Sequence, residues 1–260
     1  MAGHSKWANI KRQKARVDAV KGKVFTKLSR EMIVAARAGG PDPAANFQLR
    51  TAVEKAKAAG MPNANIDRAI AKGSGTLDDG VRLESIRYEG YGPGGVAVLV
   101  EALTDNRNRT AADLRVAFSK NGGNLGETGC VGWMFDQFGF VTIIGENIDE
   151  ETLLMASLEG DGEGYEPFEG EDGKGFEIIG FEVTTSAENL ENLETVLKGE
   201  GFTVYQSEVR WVPNNVLEIS EIDQAKSLVK MMDALEDLDD VQTVSANYEM
   251  DDELMERAIA

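Results

Sequence analysis

Ile86-Arg87-Tyr88-Glu89-Gly90-Tyr91-Gly92-Pro93-Gly94-Gly95-Val96-Ala97-Val98-Leu99-Val100-Glu101-Ala102-Leu103 is the stretch on which the fold turns. Two runs rich in strand-forming residues flank Gly92-Pro93-Gly94-Gly95, the pattern of a β-hairpin. The glycines are not a phosphate loop: a strand follows them instead of a helix, and no Gly-Lys-Ser/Thr is present. Upstream the apolar residues recur at helical spacing. Downstream, strands and helices alternate.

Going back toward the amino terminus, Ile70, Ala69 and Ile66 mark a short helix opened by Met61-Pro62-Asn63 and closed by Gly73-Ser74-Gly75. Ala56, Val53, Leu49 and Phe47 form the apolar face of a second helix stopped by Gly60, with Asp42-Pro43 as its expected cap and first position. Val24, Phe25, Leu28, Met32 and Ile33 form a third, ending at Gly39-Gly40. The spacing predicts a small all-helical basic domain over residues 1–78.

Going forward, Thr110 and Asp113 suggest a capping box for a helix reaching Lys120, and Val131 to Phe135 reads as the next strand. Strand Phe138–Ile144, helix Asp149–Leu158, one short strand within the acidic, glycine-rich 160–175 stretch, strand Phe176–Thr184, helix Ala187–Lys198 and strand Phe202–Trp211 give β-α-β-β-α-β. That order is a ferredoxin-like module over 137–212. Strand Val216–Ile219, helix Glu221–Leu235 and strand Val241–Tyr248 complete a second module begun by Val96–Leu103, spanning 79–136 plus 213–250. The tail from Asp251 reads as a frayed helical end. The expected fold class is α+β: an N-terminal all-helical basic domain followed by two ferredoxin-like α/β domains, one inserted in the other.

The 260 residues carry 27 Lys+Arg and 45 Asp+Glu, a net charge of −18. The average hides a split. Through Gly75 there are 15 basic and 5 acidic residues, a net of +10, whereas the remainder holds 12 against 40, a net of −28. One end attracts phosphate while the rest repels it, as expected of a chain whose one end docks on an anionic partner. The single cysteine, Cys130, excludes an internal disulfide and a cysteine-based metal site. No apolar run is long enough for a membrane span, and the basic amino terminus lacks the apolar core of a secretory signal, so the expected location is cytoplasmic.

The positive charge peaks in His4-Ser5-Lys6-Trp7-Ala8-Asn9-Ile10-Lys11-Arg12-Gln13-Lys14 and continues through Arg16, Lys21, Lys23 and Lys27. On a helix these cations point in every direction, so the segment has no stripe to bury. It is either a solvated tail or an arm that becomes ordered on a polyanion. Trp7, costly to leave in water and able to stack on a base, favours the arm. Lysine outnumbers arginine, which suits unspecific phosphate contact better than bidentate reading of guanine. No helix-turn-helix recognition helix is apparent, so shape and charge, as on structured RNA, are the expected basis of binding. Arg107 and Arg109 precede a helix start. They are candidates for a second phosphate contact, the alternative being pairing with Glu101 or Asp105.

Several of these stretches resemble the signatures of the YebC/PmpR family: Ala2-Gly3-His4-Ser5-Lys6-Trp7, Gly39-Gly40-Pro41-Asp42-Pro43, Met61-Pro62 with Asn65-Ile66, Tyr88 to Gly95, Thr104-Asp105-Asn106-Arg107-Asn108-Arg109-Thr110 and Leu235-Glu236-Asp237-Leu238-Asp239-Asp240-Val241-Gln242. The resemblance runs from Ala2 to about Met250. It implies a three-domain, non-enzymatic cytoplasmic protein with two α/β domains around a cavity. It also implies one of two activities: a DNA-binding transcriptional regulator, or a ribosome-bound translation factor that contacts ribosomal RNA and relieves stalling at consecutive prolines. Mitochondrial members activate translation of a cytochrome oxidase subunit. Cys130 departs from the family pattern, where a serine is expected, and the 160–175 stretch is unusually rich in glycine and acid. His4 and Ser5, ordinary tail residues by themselves, gain a role from the resemblance, with His4 stacking on a base or bonding to a phosphate.

The expected partners are therefore DNA, ribosomal RNA or the ribosome, with no membrane and no small-molecule substrate. No cofactor and no metal are expected: the acidic residues of 160–175 lack regular calcium-ligand spacing. With one histidine and one cysteine, the usual nucleophile–base pairs cannot be assembled, and no carboxylate pair stands out, so no catalytic residue is expected. A pure protein-interaction scaffold, its acidic cavity holding a basic partner, is the alternative of another class. Trp133, Phe135, Phe138 and Phe140 read as core and interdomain packing, and Cys130 as a small buried residue.

Overall fold

The structure is a computed structural model and describes residues 18–77, 80, 82–171 and 176–259, without the side chains of 18–21. Helix α1 (Asp18–Gly39), α2 (Phe47–Ala58) and α3 (Asn63–Gly73) bury one apolar cluster, in which Met32 and Ala36 of α1 meet Leu49, Ala52 and Ala56 of α2 and Ile66 and Ala69 of α3. Gly73 lets α3 pack closely on α1: a Cβ there would lie 2.5 Å from the Ile33 carbonyl oxygen. The cap expected at Asp42-Pro43 is displaced. Asp42 instead closes a turn, its carboxylate accepting from the Ala44 N–H at 2.9 Å. Asn46 caps α2, accepting from Leu49 N–H at 3.1 Å while its amide donates to the Ala35 and Gly40 carbonyls. One buried side chain thus ends α1 and starts α2.

The hairpin forms as expected. Strand β1 (Glu84–Tyr91) pairs antiparallel with β2 (Ala97–Thr104), residue for residue from Glu84↔Thr104 to Tyr91↔Ala97. Its turn places Gly94 and Gly95 at φ 74° and 81°, where a side chain is strained. Helix α4 (Arg107–Lys120) and the two-residue β3 (Asn124–Leu125) follow. After the inserted segment come β8 (Leu217–Glu218), α7 (Ile222–Glu236), β9 (Val241–Ala246), β10 (Tyr248–Glu249) and α8 (Asp252–Ile259). The sheet order is β3-β1-β2-β9, and β8 and β10 pair separately.

The α+β class holds, with different strands doing the work. Val131–Phe135 is not a strand of this sheet, because Gly132–Met134 is a 3-10 turn. Val216–Ile219, expected to complete the module, supplies only the two-residue β8, which pairs with β10 and not with this sheet, and β1 lies beside β2 instead. The tight hairpin closes a short loop and pairs all of β2 along one edge, and β9 takes the other edge. The core joins Val98 and Val100 to Leu114 and Phe118 on α4 and to Leu228, Met232 and Leu235 on α7. Helix α8 is no frayed end: Leu254, Met255 and Ala258 are buried in that core, the first two each contributing about 1.5–3 kcal/mol.

Residues 136–212 form a second compact unit, while the helical region groups with the first sheet. Strands β4 (Phe135–Ile144), β5 (Gly162–Glu171), β6 (Glu177–Ser186) and β7 (Thr203–Pro213) stand in the order β5-β6-β4-β7, with α5 (Glu150–Glu159) and α6 (Leu190–Gly199) between them in sequence. This is the expected ferredoxin-like arrangement. Strand β5 is much longer than the single short strand expected of its glycines and glutamates. It pairs with β6 as far as Glu171↔Glu177, and as an edge strand it can carry charge on a partner-supplied ladder. Arg210 lies 4.3 Å over the Phe140 ring and is held by Glu182 and Glu208.

Candidate nucleic-acid interface

Of the residues expected to grip nucleic acid, His4, Ser5, Lys6, Trp7, Asn9, Lys11, Arg12, Lys14 and Arg16 lie outside the described residues, as does the side chain of Lys21. Lys23, Lys27, Arg107 and Arg109 are described, and each meets an oxygen of the chain itself. Lys23 Nζ donates to the Asp237 carbonyl at 3.2 Å and pairs with its carboxylate at 3.5 Å; Lys27 Nζ donates to the Glu236 carbonyl at 2.6 Å. These carbonyls end α7, whose last turn has no basic residue of its own. Two lysines four residues apart on α1 supply the positive charge that a helix C-terminus favours.

Arg30, three residues further along the same face of α1, carries no signal in the sequence that sets it apart from the other cations. Its Nη1 donates to Asp240 Oδ1 and to the Asp239 carbonyl, both at 2.6 Å. Asp240 is buried and also accepts from Arg109 Nη2 at 2.9 Å and from the Thr110 hydroxyl at 2.7 Å, with the Thr104 hydroxyl at 3.2 Å. Burial alone would raise its pKa, but the bonds from Thr110, Arg109 and Arg30 hold the carboxyl below its ordinary value. Its own bond to Asp240, and a 2.7 Å contact to Asp105, raise the guanidinium pKa of Arg109. Arg107, largely exposed, pairs with Glu84 at 2.5 Å.

These contacts explain why the Thr110–Asp113 capping box does not form. Asn106 caps α4 by accepting from the Arg109 N–H, and the Thr110 hydroxyl turns inward to Asp240. Between α1, the start of α4 and the α7–β9 corner lies an open cleft of about 520 Å³, lined by Lys23, Arg30, Arg109, Thr110, Asp105, Asp113 and residues 237–240. Its carboxylates outnumber its cations, so its net charge is negative. Elsewhere in the helical region Arg37, Lys55, Lys57 and Lys72 sit in last helical turns, where they complement the helix dipoles.

A second acidic anchor explains the Tyr88–Gly95 stretch. Glu89, buried on β1, accepts from the N–H groups of Gly129 at 2.9 Å, Val131 at 2.8 Å and Gly132 at 2.6 Å. Burial opposes its ionisation, yet these three bonds hold its pKa below the usual value. The thiol of half-buried Cys130 is pushed up by burial and by Glu89, which disfavours thiolate chemistry. Phe135 and Phe140 are core residues as expected, but Trp133 is not: it is 73% exposed, its Nε1 donating to the Cys130 carbonyl that also accepts from the Tyr91 hydroxyl.

Residues 5–76 match the family model for the TACO1/YebC protein N-terminal domain, and residues 83–248 match that for the TACO1/YebC second and third domain. The chain belongs to the TACO1/YebC family. It is 64% identical to a probable transcriptional regulatory protein of Gloeothece citriformis over 100% of both chains, and 65% identical to one of Nostoc over 98% of each. A crystal structure of a conserved hypothetical protein, Aq1575 of Aquifex aeolicus, superposes with a TM-score of 0.79 at 44% identity, covering 92% of this chain and 94% of that one. Two stretches that carried the resemblance, Thr104–Thr110 and Leu235–Gln242, meet at Asp240, which ties the helical region of this TACO1/YebC protein to its first sheet. Among the described residues, no helix is long and apolar enough to cross a membrane.

Proposed function

We infer that this TACO1/YebC protein is a non-enzymatic nucleic-acid-binding regulator of gene expression. One observation carries this: a net of +10 through Gly75 beside −28 in the remainder, with the cations densest from Lys6 to Arg16 around Trp7. The arm from His4 to Arg16, with Lys21, is the gripping segment. Each of its lysines and arginines can neutralise a phosphate and release a counterion. Lys23 and Lys27 chiefly seat α1 on the α7 terminus, and Arg107 and Arg109 serve the body. Residues 1–78 act as the binding domain; 79–136 plus 213–250 and the inserted 137–212 form the acidic body that orients it.

The names of the relatives favour DNA as the target. The preponderance of lysine in the arm favours structured RNA, as on a ribosome. Cosedimentation with ribosomes and gel shift on promoter DNA, at matched salt, separate the two. Changing Lys11, Arg12 and Lys14 together to glutamate weakens whichever binding occurs and flattens its salt dependence by roughly one unit of slope per lost phosphate contact. Unchanged affinity in that variant counts against the arm. Failure of both assays at low salt leaves the scaffold.

A further inference from the structure

Helix α5 (Glu150–Glu159) faces its own sheet with Leu153, Ala156 and Ser157, all buried. Its outer face is apolar where solvent is expected: Leu154 is 45% exposed, Leu158 61% and Met155 64%. At helical spacing these three side chains cover about 100° of the outer face. Glu150 borders them on one side and Glu159 on the other, and Glu151 stands at the amino-terminal end; all three are exposed. The helix contains no basic residue.

We propose that this face is a docking surface for a basic amphipathic helix of a partner protein. The exposed apolar residues rise about 6 Å from Leu154 to Leu158, about one helical turn, a length that suits paired anchors at i and i+3/i+4 on an opposing helix. The carboxylates along both borders select a partner that carries lysine or arginine beside its apolar stripe. A second copy of this chain is disfavoured, because a two-fold contact would set the same glutamates against each other.

The test uses the full-length protein and three synthetic peptides: leucines at helical spacing with lysine elsewhere, the same composition scrambled, and a version with glutamate for lysine. Fluorescence anisotropy is expected to show binding of the first peptide only. Leu154→Ser, Met155→Ser and Leu158→Ser together, all at exposed positions and checked for folding by circular dichroism, weaken that binding by at least about tenfold. Glu150→Gln, Glu151→Gln and Glu159→Gln together remove most of its salt dependence. Equal binding of the scrambled peptide, or undiminished binding by the serine variant, overturns the proposal in favour of unspecific attraction to an acidic chain. Concentration-dependent dimerisation lost in the serine variant overturns it in favour of self-association.

Discussion

Arg30 and Asp240, 210 residues apart in sequence, meet at 2.6 Å, and through this pair the first long helix is held to the corner between α7 and β9. The guanidinium is largely covered and the carboxylate almost wholly so, which distinguishes the pair from the exposed Arg107–Glu84 bridge. Removing one partner of a buried pair leaves the other charge uncompensated.

Asp240→Ala is therefore expected to lower unfolding free energy by about 3 kcal/mol, since two arginines lose their shared acceptor. Arg107→Ala is expected to cost less than about 1 kcal/mol. Urea denaturation of both variants checks the contrast, and equal losses would remove Asp240 from its central place.

Acid sensitivity follows from Asp240 and Glu89, whose pKa values are both depressed by folding from ordinary values of 3.8 and 4.5. A depressed carboxylate contributes stability that is fully present above its unfolded-state value and is lost as pH falls through the folded one. Stability is expected to decline below about pH 4.5, with a shallower decline in Asp240→Asn and Glu89→Gln. Thermal melts from pH 7 to pH 3 give the measurement.

Lys23 and Lys27 are predicted to matter for the mount more than for the grip. Lys23→Met with Lys27→Met is expected to lower stability by about 0.5–2 kcal/mol, the worth of two cations at a helix terminus. The same variant should change the salt slope of nucleic-acid binding less than the Lys11, Arg12 and Lys14 charge reversal does. A larger change of slope would return these lysines to the interface.

Two helical glycines are predicted to respond in opposite directions. Gly73→Ala forces a methyl against the Ile33 backbone and should destabilise by about 1–3 kcal/mol. Gly22→Ala, with nothing within 4 Å of the added carbon, should stabilise by roughly 0.5–1 kcal/mol. Denaturation midpoints of the two variants decide it.

Local pattern was enough wherever the decisive contacts are local. The hairpin around Gly92–Gly95, the helices of the first 75 residues, the ferredoxin-like order of the insertion and the charge split are all written in neighbouring residues. Element ends shifted where one side chain had two potential uses. Asp42 closes a turn and leaves the cap to Asn46, and Thr110 faces Asp240 and leaves the cap to Asn106.

Charge density and periodicity survive in an unfolded chain, so the cationic front, the acidic α/β remainder and the likeness to relatives are legible in the residues alone. That β1 lies beside β2 in the first sheet, that α8 is core, that Trp133 is exposed, and that Lys23, Lys27 and Arg30 face α7 and Asp240 are properties of the packed fold. Those outcomes depend on which distant segments exclude water together, and no neighbouring residue carries that information.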